Sequence, residues 1–130
     1  MKIILHPVKK LCADPETCEQ TLKFLYRMLE ERDKTINISH KVMPAYKEHK
    51  KFVLSEPYSS WYIIELGKTP IGNTYLSKKD EIGIFLLNRY QRKGYAKKVI
   101  GMMIDGHPRK QYLANVSPHN DNGRKFFERL

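Results

Sequence analysis

The feature of this sequence most able to do chemistry is a strand-like segment that runs into a basic loop and then a helix. It begins at Glu81, passes through an apolar run to Leu87 and reaches Gly94 in the loop. Between Glu81 and Asp105 there is no acidic residue but there are five basic ones: Arg89, Arg92, Lys93, Lys97 and Lys98. The first amides of a helix lack intrahelical acceptors, and a glycine lets the backbone approach an oxygen closely. The pattern therefore predicts an anion cradle, with a pyrophosphate as its natural ligand.

The surrounding sequence predicts the elements that position this cradle. Strand patterns cover residues 1–8, 61–66, 71–76, 81–87 and 111–116, and helical patterns cover 15–32, 44–52, 94–105 and 120 to the chain end. Asp14, Pro15 and Glu16 form a strong helix start, with a cap, a proline and an acid in the first turn. The predicted order is β-α-α-β-β-β-α-β-α, which is typical of a mixed α/β domain.

Composition restricts the class of protein. The 130 residues suffice for one domain, 1–130, and contain no apolar run long enough to predict a membrane span or a signal peptide. Cys12 and Cys18 have no metal-site or disulfide-framework spacing, which favours two free thiols, a reducing cytoplasmic location and no bound metal. The net charge of +10 predicts an anionic partner: a nucleic acid, a membrane surface or a polyphosphorylated small molecule.

Two motifs resemble those of the GCN5-related N-acetyltransferase (GNAT) superfamily. Residues 91–96, Gln-Arg-Lys-Gly-Tyr-Ala, match its Gln/Arg-x-x-Gly-x-Gly/Ala signature, and the run from Asn120 to Leu130 is similar to its second motif. The resemblance implies a mixed, largely antiparallel sheet flanked by helices. It also implies transfer of an acetyl group from acetyl-CoA to a primary amine by direct attack. The branches that acetylate nucleotide-linked amino sugars or ribosomal-protein N-termini are the nearest in character.

The resemblance also implies roles for individual residues. Pantetheine and thioester contacts fall on Phe85, Leu86 and Leu87, with a backbone N–H of Leu86 or Leu87 stabilising the oxyanion. The expected pyrophosphate contacts are Gln91, Arg92, Lys93, Gly94, Tyr95 and Ala96. Asn120 matches an asparagine whose side chain reaches toward the cofactor, and the 33–43 segment forms part of the acceptor wall, which makes Ser39 and His40 candidate substrate contacts.

The proton-transfer groups are less well defined by the sequence. Glu81 is the candidate general base, and the alternative is a solvated strand-end carboxylate beside Lys78 and Lys79. The family's usual tyrosine acid corresponds to Phe127, which cannot donate a proton. His119 is therefore the candidate catalytic acid, and Tyr90, Tyr95 and water are its alternatives.

Two other functions and one structural expectation also follow from the sequence. A small nucleic-acid-binding module explains the charge but lacks any recognisable motif, and a CoA-binding but catalytically idle domain is consistent with Phe127. Trp61, Tyr62 and Tyr75 are expected to be ordinary strand packing, and contact with the acceptor is the alternative. The family's last two strands have no counterpart before Leu130, so we expect an unpaired edge at 111–116 that a second copy of the chain covers or that stays exposed.

Overall fold

The fold is taken from a computed structural model, which describes residues 2–36, 44–108 and 113–114. The strands are β1 (Ile3–Pro7), β2 (Ser60–Leu66), β3 (Thr69–Leu76), β4 (Glu81–Leu86) and β5 (Leu113–Ala114). The helices are α1 (Val8–Leu11), α2 (Pro15–Ile36), α3 (Tyr46–Leu54) and α4 (Tyr95–Gly106), with a 3₁₀ turn at Asn88–Tyr90. The predicted mixed α/β fold with a largely antiparallel sheet is therefore confirmed.

The five strands form one sheet in the order β1-β2-β3-β4-β5. The first three pairings are antiparallel and the last, β4 with β5, is parallel. The β2–β3 hairpin shifts register between Ile64 and Glu65, which leaves Ile71 as an extra residue on β3. Such a bulge bends the hairpin and increases its twist.

The two faces of the sheet bury separate cores because side chains alternate along each strand. On one face α4 packs Val99, Ile100 and Met103 against strand residues that include Ile64 and Ile82. On the other face α1, α2 and α3 form a second core that contains Val8, Leu22, Leu25, Val53 and Ile63. The carboxyl end of β4, which leads into the predicted anion cradle, lies between these two cores.

The long helix α2 begins as its sequence predicts. The Asp14 side chain accepts hydrogen bonds from the Thr17 backbone N–H at 2.9 Å and from the Thr17 hydroxyl at 2.8 Å. These bonds lower the pKa of the Asp14 carboxyl, because they stabilise its charged form. A side chain in this position satisfies one of the orphan amides of the first turn, which is why the helix starts here.

One expectation about the amino-terminal region is wrong, and one element there was not predicted. The strand ends at Pro7, within one residue of its predicted end, and residues 8–11 form the one-turn helix α1, which begins after the proline with its φ of −59°. Cys12 and Cys18 are joined in a disulfide and are not free thiols. The turn between α1 and α2 brings the two residues together, so their usage no longer argues for a reducing compartment.

Element boundaries otherwise differ by a few residues from the prediction. Helix α2 extends four residues beyond Arg32, and α3 begins at Tyr46 and not at Pro44. Only residues 113–114 of the predicted 111–116 strand are described. The predicted helix from Asn120 lies outside the described residues.

Candidate active site

Strand β4 turns alternate backbone amides away from β3. The N–H of Leu87, one residue past the strand, donates to the Ile71 carbonyl at 2.9 Å. Because inter-strand bonds alternate along an antiparallel pair, the amides of Ile84 and Leu86 face the opposite side, toward β5. Within the described residues β5 pairs only with the first two residues of β4. Of the two amides predicted for the oxyanion contact, that of Leu87 thus donates to β3, and that of Leu86 points away from β3.

Gln91 fastens the loop after β4 to the end of the strand. Its side-chain amide donates to the Leu86 carbonyl at 2.8 Å and to Asn88 Oδ1 at 3.3 Å. Its backbone N–H donates to the Asn88 carbonyl at 3.2 Å. These bonds shape the loop, so the geometry gives Gln91 a positioning role beside the predicted pyrophosphate contact.

A carboxylate on α2 holds the same loop from the other side. The backbone N–H of Asn88 donates to Glu31 Oε1 at 3.0 Å. Glu31 is half-buried. No local signal predicts this contact, because its partners are 57 residues apart in sequence. The loop is therefore anchored to both the sheet and α2.

Gly94 caps α4 in a left-handed conformation, with φ 84° and ψ −2°. Arg92 also has a positive φ, of 60°, so the loop makes two sharp changes of direction before the helix. The first intrahelical bond, from Lys98 N–H to the Gly94 carbonyl, spans 3.4 Å. The amides of the preceding turn, which include those of Tyr95 and Ala96, thus precede the intrahelical ladder.

The space in front of Gly94 is open. A Cβ atom built on it would meet no described heavy atom within 4 Å. The five basic residues of this segment are all exposed: Arg89, Arg92, Lys93, Lys97 and Lys98. Open space, first-turn amides and surrounding positive charge are the three features that a pyrophosphate site requires, so the residues present fit the phosphates of acetyl-CoA.

Tyr90 and Tyr95 lie on the α4 side of the sheet. Both rings are half-buried and pack against the core between the sheet and α4. The Arg89 guanidinium lies 5.4 Å from the centre of the Tyr90 ring. These two alternatives for the catalytic acid therefore line the base of the basic loop.

A cavity of about 100 Å³ lies on the opposite face of the sheet, between the strands and the helices α2 and α3. It borders Ile84 and Phe85, so it adjoins the segment of β4 with outward-facing amides. Tyr75 pairs with both Trp61 and Gly83 across the sheet, and Asn73 pairs with Phe85 in the next row. These two rows form the sheet side of the cavity.

Besides Phe85, four aromatic side chains line this cavity: Phe52, Tyr58, Trp61 and Tyr75. The rings of Tyr58 and Tyr75 are stacked at 3.9 Å, and Trp61 lies edge-on to Tyr58 at 4.8 Å. The indole N–H of Trp61 donates to Asn73 Oδ1 at 3.1 Å, which fixes the ring on the sheet. Trp61 and Tyr75 therefore do more than pack between strands, since they form the wall of a cavity next to β4.

Gly83 makes room for this arrangement. An ideal Cβ on Gly83 would lie 2.5 Å from the Tyr75 hydroxyl oxygen and closer still to two carbons of the ring. The Tyr75 ring therefore lies directly on the backbone of β4, two residues before Phe85. No larger residue at position 83 allows the ring to stay there.

His49 is the buried titratable group of the cavity lining. It is 3% exposed, and its Nε2 lies 3.1 Å from the Leu22 carbonyl oxygen. Because a carbonyl only accepts, Nε2 carries the hydrogen and Nδ1 is the basic nitrogen. Burial lowers the pKa of His49, and the hydrogen bond to Leu22 offsets part of that effect. The ring is therefore neutral near pH 7.

Glu81 lies at the opposite end of β4 from the cradle. Its backbone N–H donates to the Ser77 hydroxyl oxygen at 3.0 Å, and its carbonyl accepts from the Ser77 N–H at 2.8 Å. Four residues of strand, about 13 Å, separate it from Phe85. It does not border the cavity. A carboxylate in this position reaches a group near Phe85 only through a chain of water molecules.

The other predicted site residues divide into two groups. Phe85, Leu86 and Leu87 lie together at the end of β4, and residues 91–96 follow as the loop and first turn of α4. Ser39, His40, His119, Asn120 and Phe127 lie outside the described residues. Four further site residues were not predicted from the sequence: His49, Phe52, Tyr58 and Asn73. Of these, only His49 could have been identified from the sequence, because its four-residue spacing from Val53 places both on the buried side of α3.

A second, larger depression of about 410 Å³ lies between α1, the end of α3 and the start of β2. It shares Tyr58 and Trp61 with the cavity but borders no residue of β4. It is therefore not adjacent to the cradle.

Solved structures with a similar fold are acetyltransferases. An acetyltransferase from Thermus thermophilus is 15% identical, with a TM-score of 0.69 over 99% of this chain and 85% of that chain. RimL, a ribosomal L7/L12 alpha-N-protein acetyltransferase in complex with coenzyme A, is 14% identical, with a TM-score of 0.71 over 99% and 78%. The microcin C7 self-immunity acetyltransferase MccE, in complex with acetyl-CoA and AMP, is 14% identical, with a TM-score of 0.64 over 98% and 77%. The architecture is thus that of the acetyltransferase class.

The sequence agrees with this architecture. The profile of the acetyltransferase (GNAT) family matches residues 23–130, which is most of the chain. The chain therefore belongs to the GNAT acetyltransferase family, and the resemblance drawn from the two motifs is confirmed. No curated protein has a significant sequence match to it.

Two kinds of feature are absent from the described residues. These residues contain no helix that is both long and apolar enough to cross a membrane. They also contain no group of three or more histidine, cysteine, aspartate or glutamate side chains arranged to hold a metal ion.

Proposed function

We propose that this protein is an acetyl-CoA-dependent N-acetyltransferase that acetylates a primary amine by direct attack in a ternary complex. The observation that carries the proposal is the juxtaposition of the Gly94 cradle, the outward-facing amide of Leu86 and a cavity that borders Phe85. Membership of the GNAT family supports it, as do the CoA and acetyl-CoA complexes of RimL and MccE.

The cradle would hold the phosphates of acetyl-CoA. The amides of Tyr95 and Ala96 would donate to the pyrophosphate, and the exposed Arg92 and Lys93 would add charge-assisted contacts. The backbone of β4 from Phe85 to Leu87 would border the pantetheine arm, as the family resemblance implies. Acetyl-CoA supplies a thioester, whose carbonyl carbon is open to attack by an amine.

The backbone supplies the electrostatic part of the chemistry. The Leu86 N–H would donate to the oxyanion that forms when the amine nitrogen bonds to the carbonyl carbon. As the carbon–sulfur bond breaks, one proton from the nitrogen ends on the sulfur and another passes to solvent. The reaction therefore needs a group that accepts a proton and one that donates it.

Two residues are candidates for the proton acceptor. Glu81 remains the proposal from the sequence and would act through water, given its separation from Phe85. His49 is the alternative that the cavity suggests, because its ring is neutral and lines the same space as Phe85. For the donor, His119 stays the proposal, with Asn120 as a cofactor contact and Ser39 and His40 as acceptor contacts.

The proposal also covers the acceptor class, the oligomeric state and the cellular location. The acceptor classes suggested by the family resemblance are an amino sugar nucleotide and a protein N-terminus. A homodimer that covers the edge of β5 and a cytoplasmic location also stay proposals. Subcellular fractionation tests the location.

The experiment that tests the proposed function follows CoA release with a thiol reagent while an amine panel is supplied at saturating acetyl-CoA. The proposal predicts amine-dependent CoA release and a product heavier by the mass of one acetyl group. Binding of acetyl-CoA without turnover on any amine would identify a catalytically idle domain. Steeply salt-dependent nucleic-acid binding without acetyl-CoA binding would identify a nucleic-acid module.

The variants Glu81→Gln and His49→Gln separate the two candidate bases. Loss of the base lowers kcat most at low pH, where less of the amine is deprotonated, and leaves the Kd of acetyl-CoA unchanged. The variant that keeps wild-type kcat across the pH range is excluded from the proton transfer.

A further inference from the structure

The cavity beside Phe85 is unlike a site for a polar or polycationic acceptor. Its sides are aromatic and aliphatic, with Met28 and Leu25 on α2 facing the four rings. No aspartate, glutamate, lysine or arginine is among the described residues that line it. A polycation bound there would lose hydration without gaining a carboxylate partner, which is unfavourable.

Two polar side chains of the cavity lining, Asn73 and His49, already bind protein groups. Asn73 accepts from the Trp61 indole through Oδ1, and its amide nitrogen lies 3.3 Å from the Met28 sulfur. His49 donates to the Leu22 carbonyl through Nε2. These bonds reduce what the two side chains offer to a hydroxylated ligand, so much of the contact in the cavity is apolar.

The size and ring geometry of the cavity suit one planar ring. An apolar cavity of about 150 Å³ accommodates benzene, and this one, at about 100 Å³, is of the same order. Phe52, Tyr58 and Trp61 lie edge-to-face with one another, at interplanar angles of 73° to 85°. Aromatic rings favour such edge and offset contacts, so a further ring would extend an existing cluster.

From these observations we propose that the cavity binds the aromatic ring of the acceptor, a primary amine on a short chain, with its nitrogen directed toward the Phe85–Leu86 segment. This inference rests on the proposed acetyltransferase function. An apolar setting also favours the uncharged amine over the ammonium ion, which is the form that attacks a thioester.

The single tryptophan of the chain provides a readout that does not depend on turnover. Trp61 is the sole tryptophan in the sequence and lines the cavity, so its fluorescence reports occupancy directly. The experiment titrates the full chain with phenethylamine, and with ethanolamine and spermidine as polar and cationic comparisons. The kcat/KM for each amine is then measured at saturating acetyl-CoA.

The expected result is a saturable fluorescence change with phenethylamine and a kcat/KM at least ~10-fold above those of ethanolamine and spermidine, the scale on which apolar pockets discriminate. Equal kcat/KM values, or a preference for spermidine, would overturn the inference. A chain that binds acetyl-CoA and acetylates polar amines, but shows no fluorescence response to phenethylamine, overturns the inference alone. Absence of acetyl-CoA binding overturns the proposed function as well.

Two neighbouring positions on α3 form a matched pair of variants. Phe52 is 48% exposed and lines the cavity, whereas Leu54 is 49% exposed and lines only the second depression. Phe52→Ala should raise the Kd and KM for phenethylamine by roughly 5- to 10-fold. Leu54→Ala should leave both within about twofold. An effect of Leu54→Ala as large as that of Phe52→Ala would contradict the inference.

Discussion

Replacing Gly94 by alanine should weaken acetyl-CoA binding far more than it weakens the fold. The added methyl group meets no described atom within 4 Å, so the unliganded protein has room for it. The remaining cost is conformational: at φ 84° an L-residue loses about 1 kcal/mol relative to glycine. For a domain of this size that corresponds to a fall in Tm of roughly 3–5 °C.

The effect on binding is expected to be larger. The methyl group would project into the space in front of the first-turn amides, where the pyrophosphate must approach. Loss of one charge-assisted hydrogen bond costs about 1.5–3 kcal/mol, so the Kd for acetyl-CoA should rise roughly 10- to 100-fold. Isothermal titration calorimetry measures the Kd, and thermal unfolding without the ligand measures the stability.

Two further substitutions separate conformation from steric blocking. Gly94→Asn should unfold at nearly the wild-type Tm, because asparagine tolerates the left-handed conformation, yet it should still weaken acetyl-CoA binding. Gly101→Ala on α4 also meets open space, and it should raise stability by about 0.5–1 kcal/mol without changing the Kd. An unchanged Kd in both Gly94 variants would refute the cradle at this loop.

Three other predictions concern the framework of the site. Gly72→Ala should lower the free energy of unfolding by roughly 1–3 kcal/mol, measured by urea denaturation. The added Cβ would overlap the Phe85 backbone carbonyl, which cannot rotate away. An unfolding midpoint equal to that of the wild type would show that β4 can shift. The pKa of His49 is lowered in the folded state, so between that pKa and the unfolded value of about 6.5 the unfolded chain binds more protons. Stability should therefore fall as the pH decreases below about 6.5, and His49→Gln should flatten this dependence; an identical pH profile in the variant would assign the acid sensitivity elsewhere. The Cys12→Ser/Cys18→Ser variant, or the wild type in dithiothreitol, should have a free energy of unfolding lower by about 2 kcal/mol, the loop-closure value for so short a loop. Equal stability with and without the reductant would argue against the disulfide.

The strand, loop and helix of the cradle could be predicted because their signals are local. The apolar run before Leu87, the glycine at position 94 and the amphipathic pattern of α4 each act within a few residues. The same locality explains the accurate start of α2 at its Asp14 cap. Local signals thus determine where the proposed anion site lies.

The cavity could not be predicted because it depends on tertiary contacts. Its aromatic side chains come from α3, the following loop, β2 and β3, and only the register of Trp61, Tyr75 and Gly83 brings them into one row. The contact of Glu31 with Asn88 is likewise invisible in sequence, since its partners are far apart along the chain. Trp61 and Tyr75 were correctly assigned to strands, but a strand pattern alone does not show what a side chain faces.

The most direct test of the central claim compares calorimetric titrations of the full chain with acetyl-CoA and with acetyl-pantetheine, which lacks the pyrophosphate. We expect one acetyl-CoA to bind per chain with a micromolar Kd. Acetyl-pantetheine should bind more weakly by ~100-fold or more, because only acetyl-CoA carries phosphates for the Gly94 loop. No binding of acetyl-CoA, or equal affinity for the two compounds, would contradict the central claim.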